Sequence, residues 1–550
     1  MLLLLLAAPL VLFIIYRLTN WTRHYLAARQ FDLPIIPIPI AFDDVWWLPL
    51  RPLFSWVQHL PLGLGSWYVY TEMGWPIVDE NRTSLRLGEN FVLCSPNGNT
   101  IVSCYMPTIN QIFMDHKNWG MPPAQSQLFA VYGQNVSSTH GEEWKRHRKI
   151  TAGAFTEGAM EGVWEESKRR VRGTEFGSGA LSLDGVRNTF NVVAMHVLAN
   201  VAFGQDTELE TVGQGHRDSL MGCLGTILQN ILLTLVFSSV PGPEWMLPRT
   251  LRRLKAAVAE FRLYMEEFIL RDMQSGKAGS VGKKKSLLSA MVQANEAEKH
   301  GMVKAGGRPS FLTESELYGN LFVFNLAGYE TTASTFTFAL SYLALHPEVQ
   351  AWILEELDAH YDPASPYAET YPKLVRCLAV MYETLRLAGP APLLVRQPVD
   401  TPQEVEVLSR HGPKTVVVPP ETLIGGHFYG GHLSPKWGSD ALEFNPKRFI
   451  DTAASGGETL AVPDDRMYMP WIFGPRVCPG KKFSQVEFVG IVAQLLMDHR
   501  IEVDCRAGES ESDARGRLRG VLAEKYFNVS AYVKHPHAAG VRLVRRSKSG

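Results

Sequence analysis

The sequence predicts a mainly α fold with small β-sheets (α+β), built as a single large domain behind an N-terminal membrane anchor. Three observations support this prediction. Residues 1–16 are apolar and carry no charge. Residues 312–347 follow a helical pattern that is apolar nearly all round, as expected of a helix that crosses the core of a large domain. The Gly- and Pro-rich stretches lack the composition of linkers between independent domains.

Bulk composition narrows the possible classes of function. The chain has 550 residues, of which 46% are hydrophobic and 20% charged, so it can bury a large core. A formal net charge of −1 gives no sign of a nucleic-acid partner. The six cysteines are scattered and form no C-x-x-C pair, which argues against a disulfide framework and against a zinc site.

Residues 1–20 are predicted to be a transmembrane anchor. An apolar helix of residues 1–16 would be about 24 Å long, slightly short of a bilayer core of about 30 Å. A cleaved signal peptide is the alternative, but no basic residue precedes the apolar run. Arg17, Arg23 and His24 follow it, and the positive-inside rule then leaves the rest of the chain in the cytoplasm.

Residues 21–55 are predicted to be a Pro-rich hinge, and residues 56–540 the main domain. Prolines at positions 34, 37, 39, 49 and 52 disfavour an α-helix and favour an extended connector. Trp46 and Trp47 within this segment fit two interpretations equally well, contact with lipid or packing against the domain.

The long helix has clear end signals and an unusual centre. Thr313 and Glu316 have the spacing of a capping box, and Pro347 ends this helix and opens the next one. The central stretch AGYETT places a glycine, a carboxyl group and hydroxyl groups in an otherwise apolar helix. One interpretation is a kink where two helices cross. The other is a groove that leaves room for a flat ligand and offers groups for proton delivery.

Two further patterns place charged groups together. Glu383 and Arg386 share one helix face, and the apolar residues around them favour burial over an ordinary surface ion pair. A buried pair needs a third partner, which Arg448 in FNPKRF can supply. In GEEWKRHRKI, Trp144 and Arg148 lie four residues apart, which fits either a basic surface helix or a pair directed at a ligand carboxylate.

The stretch WIFGPRVCPGKKF holds Cys478 between tight turns, directly before a helix-like segment. Its residues GPRVCPG resemble the haem-binding loop of the cytochrome P-450 family. The other patterns resemble, in the family's order, its Trp-x-x-x-Arg helix (WKRHR), oxygen-binding segment (AGYETT), Glu-x-x-Arg pair (ETLR) and meander (NPKRF). The resemblance covers most of the chain and is nearest to fungal microsomal enzymes of specialised metabolism.

The resemblance implies a cytochrome P-450 fold and a haem whose iron takes Cys478, as thiolate, for its axial ligand. Guanidinium groups suit the haem propionates, and glycines allow the backbone to turn close to the porphyrin. The family usually has Phe where this chain has Trp471, and an indole N–H there can alter the electronics of the sulfur. The implied cofactor-binding residues are Trp144, Arg148, Arg396, Trp471, Gly474, Arg476, Cys478 and Gly480.

The resemblance also assigns residues to the oxygen side and to the sulfur side of the haem. Ala327 and Gly328 are implied to flank the oxygen site, while Glu330 and Thr331 relay protons. On the sulfur side a structural lock is implied, formed by Glu383, Arg386 and Arg448.

The substrate pocket is predicted to be mostly apolar, which suits a bulky lipophilic molecule. Asn325 would be a polar group that orients this molecule. The predicted wall residues are Phe322, Phe324, Asn325, Leu393 and Leu394.

The implied activity is that of a monooxygenase in secondary-metabolite biosynthesis, acting on a terpenoid, polyketide or alkaloid, with haem b as cofactor and O2 as co-substrate. The implied location is the endoplasmic reticulum membrane. No nicotinamide or flavin module appears in the sequence, so NADPH-cytochrome P-450 reductase would supply the electrons. Basic residues predicted to face this acidic partner are Lys145, Arg146, Lys149, Lys481 and Lys482.

Two alternatives stay open at this point. One is a haem-thiolate oxidase that performs desaturation, ring closure or coupling without inserting oxygen. The other is a non-catalytic haem-binding protein, against which the presence of both Glu330 and Thr331 argues.

Overall fold

Long helices dominate the computed structural model and confirm the predicted mainly α architecture. The structure describes residues 2–44, 46–47, 49–153, 155–174, 180–204, 211–230, 233, 247–277, 286–305, 310–454, 456–463 and 466–546. The helices are α1 Leu2–Ala28, α2 Trp75–Asp79, α3 Arg82–Leu87, α4 Met106–Met114, α5 Pro123–Leu128, α6 Gly141–Ala152, α7 Glu157–Gly173, α8 Leu183–Phe203, α9 Leu220–Gln229, α10 Arg249–Lys277, α11 Leu287–Ala305, α12 Glu314–Leu345, α13 Pro347–His360, α14 Tyr367–Thr370, α15 Val375–Ala388, α16 Phe428–His432, α17 Lys481–Asp498 and α18 Glu511–Ala523.

The β-sheets are small and most of their strands are short. The strands are β1 Ile35–Pro37, β2 Asn90–Ser95, β3 Gly98–Ser103, β4 Trp119–Gly120, β5 Leu181–Ser182, β6 Leu393–Pro398, β7 Gln403–Ser409, β8 Gly412–Val418, β9 Leu423–His427, β10 Ile450–Thr452, β11 Glu458–Leu460, β12 His499–Val503, β13 Lys525–Phe527, β14 Ala531–Val533 and β15 Gly540–Arg545. The largest sheet has the order β1-β2-β3-β9-β6-β4, and smaller sheets are β12-β15-β5, β7-β8, β10-β11 and β13-β14.

The helix α12 crosses the core, as its sequence pattern predicts. The Thr313 side chain accepts a hydrogen bond from the Glu316 backbone N–H, and the Glu316 side chain accepts one in return, so the predicted capping box is present. Farther along, Phe336 stacks between Phe190 of α8 and Phe488 of α17, with ring centroids 4.5 and 5.0 Å apart. Burying such a ring stabilises the fold by about 2 kcal/mol. The core therefore holds α12 rigidly between these helices.

The N-terminal helix continues past the predicted anchor and docks on the domain. The predicted boundary at residue 20 falls inside α1, which ends at Ala28. Trp21 donates its indole N–H to the Cys94 carbonyl at 3.0 Å, and Arg17 pairs with Asp44 at 2.5 Å. Within the residues that the structure describes, no helix is both long enough and apolar enough to cross a membrane. The anchor at residues 1–20 stays a prediction.

The segment predicted as a hinge is part of the domain, which corrects the boundary drawn from its prolines. Ile35–Pro37 pairs in parallel with residues 92–94 of β2, and Arg51–His59 forms a 3-10 helix. Prolines exclude the interior of an α-helix, but they are compatible with an edge strand and with the first turn of a helix. Trp47 is buried and packs against the domain, whereas Trp46 is 42% exposed.

Candidate haem-binding site

The loop that carries Cys478 turns tightly before α17. Gly474 has a φ of 74°, and a Cβ atom there would lie 2.9 Å from the Met114 sulfur, so glycine is required both by conformation and by space. The Cys478 N–H donates to the Trp471 carbonyl at 3.0 Å, which closes the loop. Gly480 is the residue before the first turn of α17, and a Cβ atom there would lie 3.8 Å from the Cys478 sulfur.

Cys478 presents its thiol to a recess at the start of α17. The side chain is exposed to solvent, but the surrounding protein raises the pKa of the thiol above its usual value. The Gly480 backbone N–H and the charge of Arg148 lower this pKa and favour the thiolate, but burial outweighs them. The sulfur therefore keeps its proton at neutral pH unless a metal ion replaces that proton.

Two guanidinium groups, one buried and one half-buried, lie close to this loop. Arg396 is 6% exposed and lies over the Phe113 ring, and Arg476 lies 4.8 Å from the centre of the Trp144 ring. Burial lowers the pKa of Arg396 to about 10, and burial together with the charge of Arg396 lowers the pKa of Arg476 to about 10. Among the described residues, neither pairs with a carboxylate. Buried cations of this kind need anions as ligands.

Two histidines that the sequence did not point to lie beside these guanidinium groups. Burial, followed by the charges of Arg476 and Arg396, lowers the pKa of His140, and its Nδ1 is buried without a hydrogen-bond partner in the described structure. His116 packs on Trp144 at 4.9 Å, and its Nε2 is likewise without a described partner. The position of His140 directly before α6 was the available signal in the sequence.

These residues fit a haem. Arg396 and Arg476 can pair with the two propionates, and Cys478 offers a sulfur ligand for the iron at the N-terminal end of α17. Arg148 lies near Cys478, so a thiolate there would raise the pKa of the Arg148 guanidinium. Burial lowers the same pKa by a larger amount. The structure therefore brings Trp144, Arg148, Arg396 and Arg476 together around the cysteine loop, where the resemblance implied them.

Trp144 also connects the cysteine loop to the centre of α12, because it packs with Val323 and Phe324. One turn farther along, Ala327 is exposed although most of α12 is buried, and Thr331 is half-buried. Positions 324, 327 and 331 follow one face of the helix, so this face borders an open recess. Thr331 donates its hydroxyl to the Ala327 carbonyl at 2.7 Å. AGYETT had two interpretations, a kink where two helices cross and a groove for a flat ligand. The recess agrees with the groove.

Gly328 serves the packing of helices as well as the recess. A Cβ atom at this position would lie 3.1 Å from the Leu198 side chain of α8. The glycine therefore allows α12 and α8 to approach closely. This packing role is separate from the space that the glycine leaves for a ligand.

Glu330 points away from solvent into a hydrogen-bonded network. Its carboxylate accepts from the Tyr532 hydroxyl and from Arg187 at 3.4 Å. The Arg187 guanidinium also lies 3.9 Å from the centre of the Tyr532 ring and is 27% exposed, so the network reaches the surface. Tyr532 and Arg187 are distant in sequence and carried no signal. The role of Glu330 in a proton relay stays a prediction.

The structure corrects two of the predicted pocket walls. Phe322 is completely buried against the rings of Tyr132 and Phe261, at 5.0 and 5.7 Å. Asn325 is also completely buried and donates to the Leu321 carbonyl at 2.8 Å. Both positions lie on the face of α12 that packs against α10, opposite the recess, because a helix turns by about 100° per residue.

The other predicted walls remain partly open. Phe324 is half-buried beside Phe155, at 5.7 Å between ring centroids. Leu393 and Leu394 are half-buried in β6, the strand that also carries Arg396. These three residues are therefore not fully enclosed by the protein.

Glu383, Arg386 and Arg448 meet in a buried ion cluster. Arg386 donates through Nε and Nη2 to the two Glu383 oxygens at 2.7 and 2.8 Å, and both residues are 0% exposed. Arg448 donates to Glu383 at 3.1 Å and pairs with Asp440 at 2.9 Å. Arg386 also donates to two backbone carbonyls of the segment 432–441. The cluster fixes α15 to the segment that precedes the cysteine loop.

The Trp471 side chain lies beside the first turn of α17. Its indole N–H donates to the Ser484 hydroxyl at 3.1 Å, and its ring lies 5.3 Å from the Tyr382 ring. The sequence predicts that this N–H can alter the electronics of the sulfur. The bond to Ser484 directs it elsewhere, which corrects that expectation.

The predicted basic face is smaller than the sequence suggests. Arg146 is only 16% exposed and donates to Glu316 at 2.9 Å, so it is a core-facing group and is removed from the face. Lys145 and Lys149 pair with glutamates, each at 2.5 Å. Lys481 and Lys482 lie over the rings of Trp471 and Tyr371.

The fold and the site together define a haem-thiolate protein, and comparison with known proteins agrees. The family model for Cytochrome P450 matches residues 85–526, so the chain belongs to the cytochrome P450 family. The predicted resemblance is confirmed. The chain is therefore an oxygen-incorporating oxidoreductase that uses a haem-thiolate cofactor, O2 and electrons from a redox partner.

The relatives include fungal monooxygenases. The chain is 27% identical over 538 residues to cytochrome P450 monooxygenase ORF6 of Penicillium roqueforti, covering 90% of each chain. It is 27% identical over 587 residues to the phomenoic acid biosynthesis cluster cytochrome P450 monooxygenase of Leptosphaeria maculans, covering 96% of this chain and 97% of that relative. The fold is similar to the retinoic acid-bound cyanobacterial CYP120A1, with a TM-score of 0.65, 18% identity and coverage of 94% and 100%.

Proposed function

We propose that this chain inserts one atom of O2 into a lipophilic small molecule of fungal secondary metabolism, such as a terpenoid, polyketide or alkaloid. The observation that carries the proposal is the exposed Cys478 thiol at the N-terminal end of α17, with Arg148 near its sulfur and with Arg396 and Arg476, which have no described carboxylate partner, near the same loop. The name of the Leptosphaeria relative, which places that protein in a biosynthetic cluster, supports the metabolic context.

The cofactor in this proposal is haem b, which supplies oxygen activation when bound through a thiolate. Cys478 would ligate the iron, and Arg396 and Arg476, with Trp144, Arg148 and the two histidines, would hold the propionates. The guanidinium groups suit the task because each can form charge-assisted hydrogen bonds with a carboxylate.

Residues of α12 would position the substrate and move protons. Ala327 leaves space at the recess, and the half-buried Thr331 hydroxyl, one turn farther on, would accept a hydrogen bond there while its own proton lies on the Ala327 carbonyl. Glu330 lies next in sequence to Thr331, with Tyr532 and Arg187 holding its carboxylate. Phe324, Leu393 and Leu394 would contact the apolar substrate.

The redox partner in this proposal is NADPH-cytochrome P-450 reductase, and the setting is the endoplasmic reticulum membrane with the domain in the cytoplasm. The apolar start of the chain supports the membrane setting, because Leu10, Leu12 and Ile15 of α1 are all more than half exposed, at 61%, 66% and 54%. Lys481 and Lys482, beside the cysteine loop, would contribute to the surface that meets the reductase.

An isotope experiment tests the proposal. Microsomes containing the chain and the reductase receive NADPH, oxygen-18 gas and a lipophilic extract of a fungal culture, and products are followed by mass spectrometry. A new product that carries the heavy oxygen, and that Cys478→Ala abolishes, is the expected result. A new product without the label would overturn oxygen insertion in favour of desaturation, ring closure or coupling.

A further inference from the structure

Trp471 is an oxidisable side chain at a position where the family usually has an inert phenylalanine. The indole lies beside the first turn of α17, and the Trp471 carbonyl accepts from the Cys478 N–H at 3.0 Å. The indole N–H donates to the Ser484 hydroxyl at 3.1 Å, which donates in turn to the Lys481 carbonyl at 2.9 Å. The ring is therefore held next to the metal-binding loop, and its N–H has a defined acceptor.

Tyr382 is the next oxidisable ring. Its centroid lies 5.3 Å from that of Trp471, and the Gln485 amide donates to its hydroxyl at 2.8 Å. Tyr382 also lines a surface groove of about 570 Å³, together with Tyr367, Tyr371 and Gln485. An electron can therefore pass from the groove to Trp471 through two rings in contact.

We propose that Trp471 and Tyr382 form an electron relay that carries an oxidising equivalent from the haem site to this groove. The relay acts when a hydroperoxide oxidises the haem site and no substrate is present to consume the oxidising equivalent. A small reductant in the groove, a thiol or ascorbate, then removes it. The inference rests on the haem site proposed above, but it concerns protection of the protein and goes beyond oxygen insertion.

A hydroperoxide leaves two oxidising equivalents at the haem site, so the relay runs twice for each hydroperoxide. In each pass Trp471 gives one electron to the oxidised site and becomes a radical cation, while its N–H proton stays in the bond to Ser484. Lys481, 5.6 Å from the ring centre, raises the energy of this radical cation and so favours its reduction by Tyr382. Tyr382 then gives one electron to the Trp471 radical cation and loses its hydroxyl proton to water in the groove. The reductant finally supplies one electron and one proton to Tyr382, which restores both rings.

The test compares four forms of the haem-loaded full chain: wild type, Trp471→Phe, Tyr382→Phe and the control Trp352→Phe. Trp352 belongs to the same aromatic cluster and also contacts cations, but it has no ring contact with Tyr382 among the described residues. Each form first gives a reduced-CO spectrum, which shows that the haem is bound through thiolate. Cumene hydroperoxide is then added without substrate, with and without ascorbate.

The expected results separate the relay from a merely structural role. Wild type and Trp352→Phe give a protein radical in freeze-quench electron paramagnetic resonance, oxidised Trp471 in peptide mass spectra, and haem bleaching that ascorbate slows. Trp471→Phe loses the radical and the ascorbate protection and bleaches faster. Tyr382→Phe keeps the Trp471 radical but loses the protection. If Trp471→Phe keeps its thiolate spectrum and matches wild type in radical yield and bleaching, the relay is wrong.

Discussion

At the scale of single residues, Glu487 is a carboxylic acid held inside the core of α17. It is 1% exposed, its Oε1 has no described hydrogen-bond partner, and its Oε2 lies 3.3 Å from the Thr332 hydroxyl. Burial raises its pKa to about 8. Thr332 already lies 2.9 Å from the Gly328 carbonyl, to which it donates its one proton. A protonated Glu487 can then donate to the Thr332 oxygen, which gives the Glu487 hydroxyl an acceptor.

We therefore predict that Glu487 is neutral at neutral pH. Because its folded pKa of about 8 exceeds the unfolded value of 4.5, the folded state binds the proton more tightly, and stability falls as pH rises between these values. Infrared difference spectra should show a protonated carboxyl band near neutral pH that Glu487→Gln removes. The exposed Glu502→Gln is the control and should leave the band unchanged. A wild-type spectrum without the band would contradict the assignment.

Arg386 is the residue whose loss should be most costly. Arg386→Ala leaves Glu383 charged in a site that is 0% exposed, and breaking a buried ion pair from one side costs about 3–5 kcal/mol. We expect a large drop in the urea midpoint and loss of bound haem during purification. Lys299→Ala is the matched control, since Lys299 and Glu296 have the same sequence spacing but are 44% and 43% exposed. The control should change the free energy of unfolding by less than about 1 kcal/mol. An equally small change in Arg386→Ala would show that the cluster does not stabilise the fold.

At the scale of elements, the start of α12 depends on one carboxylate. Glu316 caps the helix, accepts from Arg146 and is 11% exposed. Burial raises its pKa, but the bonds from Arg146 and the Thr313 N–H and the charge of His147 outweigh burial and lower the pKa to about 2. The helix that borders the recess is therefore anchored by an ion pair to α6, the helix that carries Trp144.

Because folding lowers the pKa of the Glu316 carboxyl, the stability that Glu316 contributes decreases in acid. The stabilisation by Glu316 is complete above its unfolded value of 4.5 and is lost as pH falls toward about 2. A shift of this size corresponds to about 3 kcal/mol. Glu316→Gln should lower the urea midpoint at neutral pH and flatten its decline in acid. Glu314→Gln, exposed in the same turn, should behave like wild type. Equal acid sensitivity of the Glu316→Gln variant and wild type would contradict this role.

A second element-scale feature is the close approach of α12 to the loop before α6. A Cβ atom at Gly319 would lie 2.4 Å from the Gly133 carbonyl oxygen, which is backbone and cannot rotate away. Gly319→Ala should cost about 1–3 kcal/mol despite the better helix propensity of alanine. Gly225→Ala in α9 is the control, because nothing lies within 4 Å of a Cβ there, and it should stabilise by up to about 1 kcal/mol. If both substitutions change the melting temperature in the same direction, the result would contradict the close contact at Gly319.

At the scale of the whole molecule, the sequence predicted those features whose cause is local. The capping box of α12 depends on two residues three apart, and the Cys478 loop depends on glycines within a few positions of the cysteine. Glu383 and Arg386 are likewise neighbours on one turn. Such signals survive in a single sequence because the interacting groups are close along the chain.

Features that depend on distant contacts were not predictable in this way. Strand β1 pairs with a segment more than fifty residues away, so its prolines suggested a free connector. Tyr532 reaches Glu330 across 202 positions, and the burial of Phe322 and Asn325 is decided by α10, which covers the other face of α12. Only the assembled core shows which face of a uniformly apolar helix borders the recess.

The most direct test of the central claim is the reduced-CO difference spectrum of the haem-loaded full chain and of Cys478→Ser. We predict the long-wavelength band of thiolate-ligated haem for the wild type and its loss in Cys478→Ser. Cys377→Ser, a buried free cysteine far in sequence from the loop, is the control and should keep the band. A wild-type spectrum without this band, or an unchanged spectrum in Cys478→Ser, would contradict the assignment of Cys478 as the iron ligand.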